Sequence, residues 1–107
     1  MRLLFWLSLA LLAGPGAKSV WAHEWFPVEC CSDRDCARID ASAVRVVAGG
    51  YHVTVRPGSH PMVPAGSEPR SYTIPFREAK PSQDAFFNIC IAPDGRLLCF
   101  FHVIGGV

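Results

Sequence analysis

Five cysteines and four histidines carry most of the chemistry open to this chain. The cysteines are Cys30, Cys31, Cys36, Cys90 and Cys99; the histidines are His23, His52, His60 and His102. A thiolate is a nucleophile and a soft metal ligand, a neutral imidazole is a base and a borderline ligand, and two thiols in an oxidising compartment join as a disulfide. Spacing separates these possibilities. Structural zinc uses paired Cys-x-x-Cys, or Cys-x-x-Cys with a His-x-x-x-His, and neither pattern occurs. There is also no Cys-x-x-Cys for thiol exchange and no Cys-x-x-Cys-His for haem attachment. The five cysteines therefore read as a disulfide framework. Their odd number limits one chain to two bridges and leaves one thiol over. Cys30 and Cys31 are adjacent, and a bridge between them would strain their peptide unit. A bridge from the 30–36 cluster to the 90–99 segment closes a long loop, which the chain-entropy account values at roughly 4 kcal/mol.

Two further chemistries are open. If the mature chain starts at His23, that residue offers its α-amine and its imidazole to Cu(II), and His52, His60 or His102 is the candidate third nitrogen. His60 also lies two residues from Met62 in a proline-rich loop, an exposed soft pair that makes the loop a candidate copper or interaction site. The other possibility is a Cys–His enzyme, with Cys31 or Cys36 beside Arg34 as thiolate and His102 as base. No hydrolase or oxidoreductase signature accompanies these residues. The primary expectation is a non-catalytic binding or structural module, with no catalytic residue and no cofactor assigned, copper being the alternative.

The compartment is set by the start of the chain. Met1-Arg2 is a short positive segment, Leu3 to Ala13 is apolar apart from Ser8, and Gly14-Pro15-Gly16 breaks a helix. Val20-Trp21-Ala22 then offers a peptidase site. Residues 1–22 thus read as a signal peptide and 23–107 as one small secreted domain. The apolar run is about half the roughly 20 residues that a membrane span needs. Export predicts a periplasmic or secreted protein with oxidised cysteines. Without Arg2 and Lys18 the formal charge falls from +1 to −1. No basic run remains, which excludes nucleic acid and anionic membranes as partners and leaves a protein or a glycan.

These residues must be positioned by few elements. Residues 30–39 are polar and compact, and Ser32 or Asp33 is a candidate cap for one short helix ending near Ile39. Ala43 to Arg56 reads as a β-hairpin around Gly49-Gly50, with Tyr51, Val53 and Val55 inward and His52, Thr54 and Arg56 outward. Residues 57–70 hold four prolines and two glycines. Such a loop is long for a small domain and is expected to be mobile or functional. Ser71 to Phe76 is an edge strand limited by Pro75. Arg77 to Asp84 is a polar connection. Residues 85–91 and 96–103 flank Pro93-Asp94-Gly95 and form a second hairpin, apolar enough to be covered on both faces. A three-residue turn pairs Ala92 with Arg96, which sets Cys90 opposite Leu98 and turns Cys90 and Cys99 to opposite faces. Each then reaches back to the 30–36 cluster, or one of them stays reduced.

The fold expected is mainly β: a small disulfide-stabilised domain of two hairpins plus an edge strand, with one short N-terminal helix. Its core is Trp25, Val44, Val46, Tyr51, Val53, Val55, Ile74, Phe87, Ile89, Ile91 and Leu98. The run from His23 to Cys31 (HEWFPVECC), followed by Ser32 to Cys36, resembles the mature start of short exported alphaproteobacterial proteins of unknown function. Pro93-Asp94-Gly95 leading to Cys99-Phe100-Phe101 resembles their C-terminal hairpin. The likeness covers both ends of the mature chain and only loosely its middle. Those proteins carry a Pro-rich tail where this chain has His102-Val103-Ile104-Gly105-Gly106. The resemblance implies export and disulfides, and no activity.

Overall fold

The structure is a computed structural model that describes residues 25–32 and 34–104. The expected signal peptide, His23 and Asp33 lie outside these residues. Among the described residues seven strands form two sheets. They are β1 (Cys36–Ile39), β2 (Val44–Val47), β3 (Gly50–Val55), β4 (Arg70–Pro75), β5 (Ala79–Pro81), β6 (Phe87–Ile91) and β7 (Leu97–His102). One sheet has the order β1-β6-β7-β5 and the other β2-β3-β4.

The second sheet follows the alternation of the sequence. Val47 pairs with Gly50 across a two-residue turn at Ala48-Gly49, so the turn lies one residue earlier than Gly49-Gly50. Gly49 takes the positive φ, 82°. Gly50 sits in β3 opposite Pro75, where a Cβ would run into the backbone carbonyl of Ile74. Only glycine lets these strands meet there. β4 is the edge strand expected near Tyr72. Val53, Val55 and Ile74 point inward and are buried, with Val44, Tyr51 and Tyr72 packed around them.

The first sheet is covered on both faces. Ile39, Ile89, Ile91 and Phe100 face the β2-β3-β4 sheet and complete the main core with Val63. On the opposite face Cys30, Cys90, Cys99 and Phe101 form a second cluster under Trp25, Phe26, Cys36 and Leu98. The chain before β1 therefore lies across this sheet as a third layer. Two disulfides staple it there: Cys30–Cys99, with Cα atoms 5.5 Å apart, and Cys36–Cys90, at 4.0 Å.

Three expectations are corrected. Among the described residues of the 32–39 segment no helix forms; the segment ends in β1, whose four residues pair antiparallel with β6. Cys36 bridges its direct partner Cys90, and Ser32, a candidate cap, instead donates its hydroxyl to the Asp35 carboxylate. Cross-strand pairing and the bridge override the local capping signal. Second, Val46 is 64% exposed although it shares the alternation of the core valines. Third, the register of the C-terminal hairpin changes along its length. Near the turn the Ala92 amide donates to the Arg96 carbonyl, as a three-residue loop requires. Leu98 is then an extra, unpaired residue: Ile91 pairs with Leu97 but Cys90 with Cys99. This β-bulge puts Leu98 and Cys99 in the same outer cluster. Both C-terminal cysteines thereby face the N-terminal segment, and each joins it.

Candidate binding site

A hydrogen-bonded polar cluster occupies the connection between β5 and β6. Asp84 accepts hydrogen bonds from the Ser82 hydroxyl (2.9 Å), the Asn88 amide (3.0 Å), the Phe86 backbone N–H (3.0 Å) and Arg38 Nε (3.2 Å). Ser82 and Asn88 are themselves buried. Burial pushes the Asp84 carboxyl up, but the bonds from Ser82, Asn88, Phe86 and Arg38 together outweigh it and hold it below its ordinary range. Carboxylates in such turns often bind the amide two residues on, and Asp84 does so here.

This anchoring forces its neighbours. Ala85 takes φ 70°, and no other non-glycine residue described has positive φ. A left-handed Ala costs about 1–2 kcal/mol, which the Asp84 bonds offset. The turn that results holds Phe86 outward, 47% exposed, with the Arg38 guanidinium 4.3 Å from its ring centroid. Beside Phe86 lies a half-open cleft of about 220 Å³. Its walls are Ile39, Ala41, Ala85, Phe86, Phe87 and Val103, and Asp40 is the charged residue that lines it. The Ser42 hydroxyl and amide bind the Asp40 carboxylate and lower its proton affinity. The cleft thus joins an apolar wall, one fixed carboxylate and an aromatic ring presented by a strained, bonded turn. Such a surface has the shape and lining to accommodate an apolar group.

The residues that sequence reasoning singled out lie elsewhere. Cys30, Cys36, Cys90 and Cys99 are structural bridges, and Cys31 stands half-buried outside both. While bridged, Cys36 has no thiolate to offer. His52 is on the outer face of β3 as its alternation predicts, with Nδ1 3.1 Å from the Thr73 hydroxyl. His102 ends β7, stacks on Tyr51 at 6.0 Å, and lies with Nδ1 3.2 Å from the Val103 carbonyl. His60 and Met62 do not form an exposed tip. His60 is buried, and Met62 packs half-buried on the main core. The His60 ring has Nε2 2.9 Å from the Ile89 carbonyl, and Nδ1 accepts the Met62 N–H at 3.0 Å, so both ring nitrogens are engaged. Among the described residues no three His, Cys, Asp or Glu side chains gather as a metal site.

The cleft itself escaped sequence reasoning. Its signal was the Ser82-Gln83-Asp84 turn chemistry just before an apolar run, which reads equally well as an ordinary polar connection. Comparison with family models, with curated proteins and with solved structures returned no match. The geometry alone carries the functional reading.

Proposed function

We propose that this protein is a small exported, disulfide-stabilised, non-catalytic binding module that takes an apolar side chain of a protein partner into the cleft beside Phe86. The observation that carries the reading is the outward Phe86 on the strained Ala85 turn, held by four hydrogen bonds to Asp84. A large apolar side chain is costly to leave in water, and a backbone outlier is costly to keep; both at one place mark a contact surface. The apolar lining favours a protein over a glycan, whose hydroxyls need several polar partners. Two disulfides suit an oxidising compartment, in keeping with the signal-like start of the chain. None of the helices described is long and apolar enough to cross a membrane.

The test is capture from a periplasmic extract by the mature protein, by Phe86→Ser and by Val46→Thr, followed by titration with the partner identified. Binding should weaken at least tenfold in Phe86→Ser and stay unchanged in Val46→Thr, whose side chain is exposed elsewhere. Equal binding by all three would remove the cleft from the function. Capture that survives protease treatment of the extract would replace the protein partner with a glycan.

A further inference from the structure

We infer that His60 is an acid-released latch: in its neutral form it fastens the loop between β3 and β4 onto β6, and protonation frees that loop. The loop is not slack. Turns fold it back on itself, with the Gly58 N–H bound to the Val63 carbonyl (2.7 Å) and the Val63 N–H to the His60 carbonyl (2.9 Å). This brings His60 and Val63 inward, and both are buried.

The two partners of the ring fix its protonation state. The Ile89 carbonyl can only accept, so Nε2 carries a proton and donates to it. The Met62 N–H can only donate, so Nδ1 must keep its lone pair. One tautomer of the neutral ring satisfies both. The imidazolium carries a proton on each nitrogen and has no acceptor, so no flip of the ring restores the bond to Met62. Protonation therefore sets two donors against each other in a buried site, and the closed loop disfavours the charged ring.

The surroundings act in both directions. β6 presents Ile89, which brings no charge, and the loop itself presents Met62 and Val63. Asp35, on the segment before β1, favours the imidazolium twice, through a hydrogen bond to its backbone and through the field of its carboxylate, and the Ile89 carbonyl acts in the same direction. Burial acts more strongly the other way, and the net proton affinity of His60 lies below the ordinary imidazole value. The open loop, with a solvated ring, titrates near pH 6.5. The closed form is therefore fully favoured above about pH 6.5. Below that, opening takes up one proton and rises by up to about tenfold per pH unit, until the closed form's lower value is reached. Released, the loop uncovers Val63 and Met62.

Amide hydrogen exchange on the disulfide-intact protein tests this. The Val63 and Gly58 amides, corrected for intrinsic rates and referenced to Val53 on β3, should exchange at a constant ratio from pH 7.5 to about 6.5 and faster at pH 4.5. The rise should set in below pH 6.5 and level off once the ring titrates within the closed loop. The His60 ring signal should titrate below 6.5. A flat exchange ratio over this range, or a His60 midpoint at or above 6.5, overturns the latch. His60→Gln can donate and accept without gaining a proton, and its loop exchange should lose the extra pH dependence. An equally steep response in that variant assigns the effect to another group and sinks the proposal. Should His60→Gln fail to fold, coincidence of the ring titration with the loop response in the native protein decides.

Discussion

At the residue scale, Asp84 and Ala85 are opposite sides of one arrangement. Asp84→Ala removes the acceptor of the Ser82 hydroxyl and one acceptor of the buried Asn88 amide, which keeps the Phe86 carbonyl. Bonds to a charged group and the stranded donors set the loss at about 2 kcal/mol. In a domain of this size that is a fall in Tm of roughly 10 °C, readable by thermal unfolding. Ala85→Gly should behave differently. Glycine takes φ 70° freely, so relief of the left-handed strain exceeds the entropy it adds to the unfolded chain. Stability should rise by about 0.5 kcal/mol in denaturant unfolding; a loss of 1 kcal/mol or more would mean that the turn is not strained. Asp84 also contributes to acid stability, and the sign is fixed by its lowered pKa. Its contribution is complete above about pH 4, the ordinary carboxylate value, and disappears as pH falls through its lower folded value. Asp84→Asn should flatten stability in that acid range alone.

At the element scale, the hairpins were legible because their turns carry their own chemistry. Ala48-Gly49 and Pro93-Asp94-Gly95 supply the positive φ that each turn needs, at Gly49 and Gly95. β1 and β5 were not legible, being four and three residues long and existing only by pairing with β6 and β7. β5 runs parallel to a strand some twenty residues further on, and no local pattern announces such a partner. Alternation marked the inward face of β2 but not how far the facing sheet extends, which is why Val46 was misplaced. The contrast is measurable: Val46→Thr should change stability by less than about 0.5 kcal/mol, whereas Val53→Ala, fully buried, should cost about 2 kcal/mol. The bulge at Leu98 was invisible because Pro93-Asp94-Gly95 fixes register only at the turn. It also leads to an unusual expectation. Deleting Leu98 heals the bulge and still leaves Cys99 opposite Cys90 on the outer face. That deletion should therefore retain both disulfides, as mass after alkylation under non-reducing conditions would show, at the expense of the Leu98 packing. A chain with mispaired or open cysteines would contradict the register.

For the whole molecule, the bridges hold a layer rather than a loop. Trp25 packs on Phe26 (4.0 Å between ring centroids) and edge-on to Phe101 (4.9 Å), in the layer that the bridges press onto the sheet. Reduction should release this layer first, with Trp25 fluorescence in the mature chain shifting to the red before the β-sheet signal is lost. The pairing order has another consequence. Cys36–Cys90 lies wholly inside Cys30–Cys99 along the chain. A protease that cuts any bond between residues 37 and 89 therefore does not divide the molecule: the two pieces stay tied at two points and differ from the intact protein by one added water. On a non-reducing gel such a nicked form runs as one species, and it falls into two only when a thiol is added. Continuity of the backbone through the whole middle of this protein is, in that sense, dispensable once it has folded.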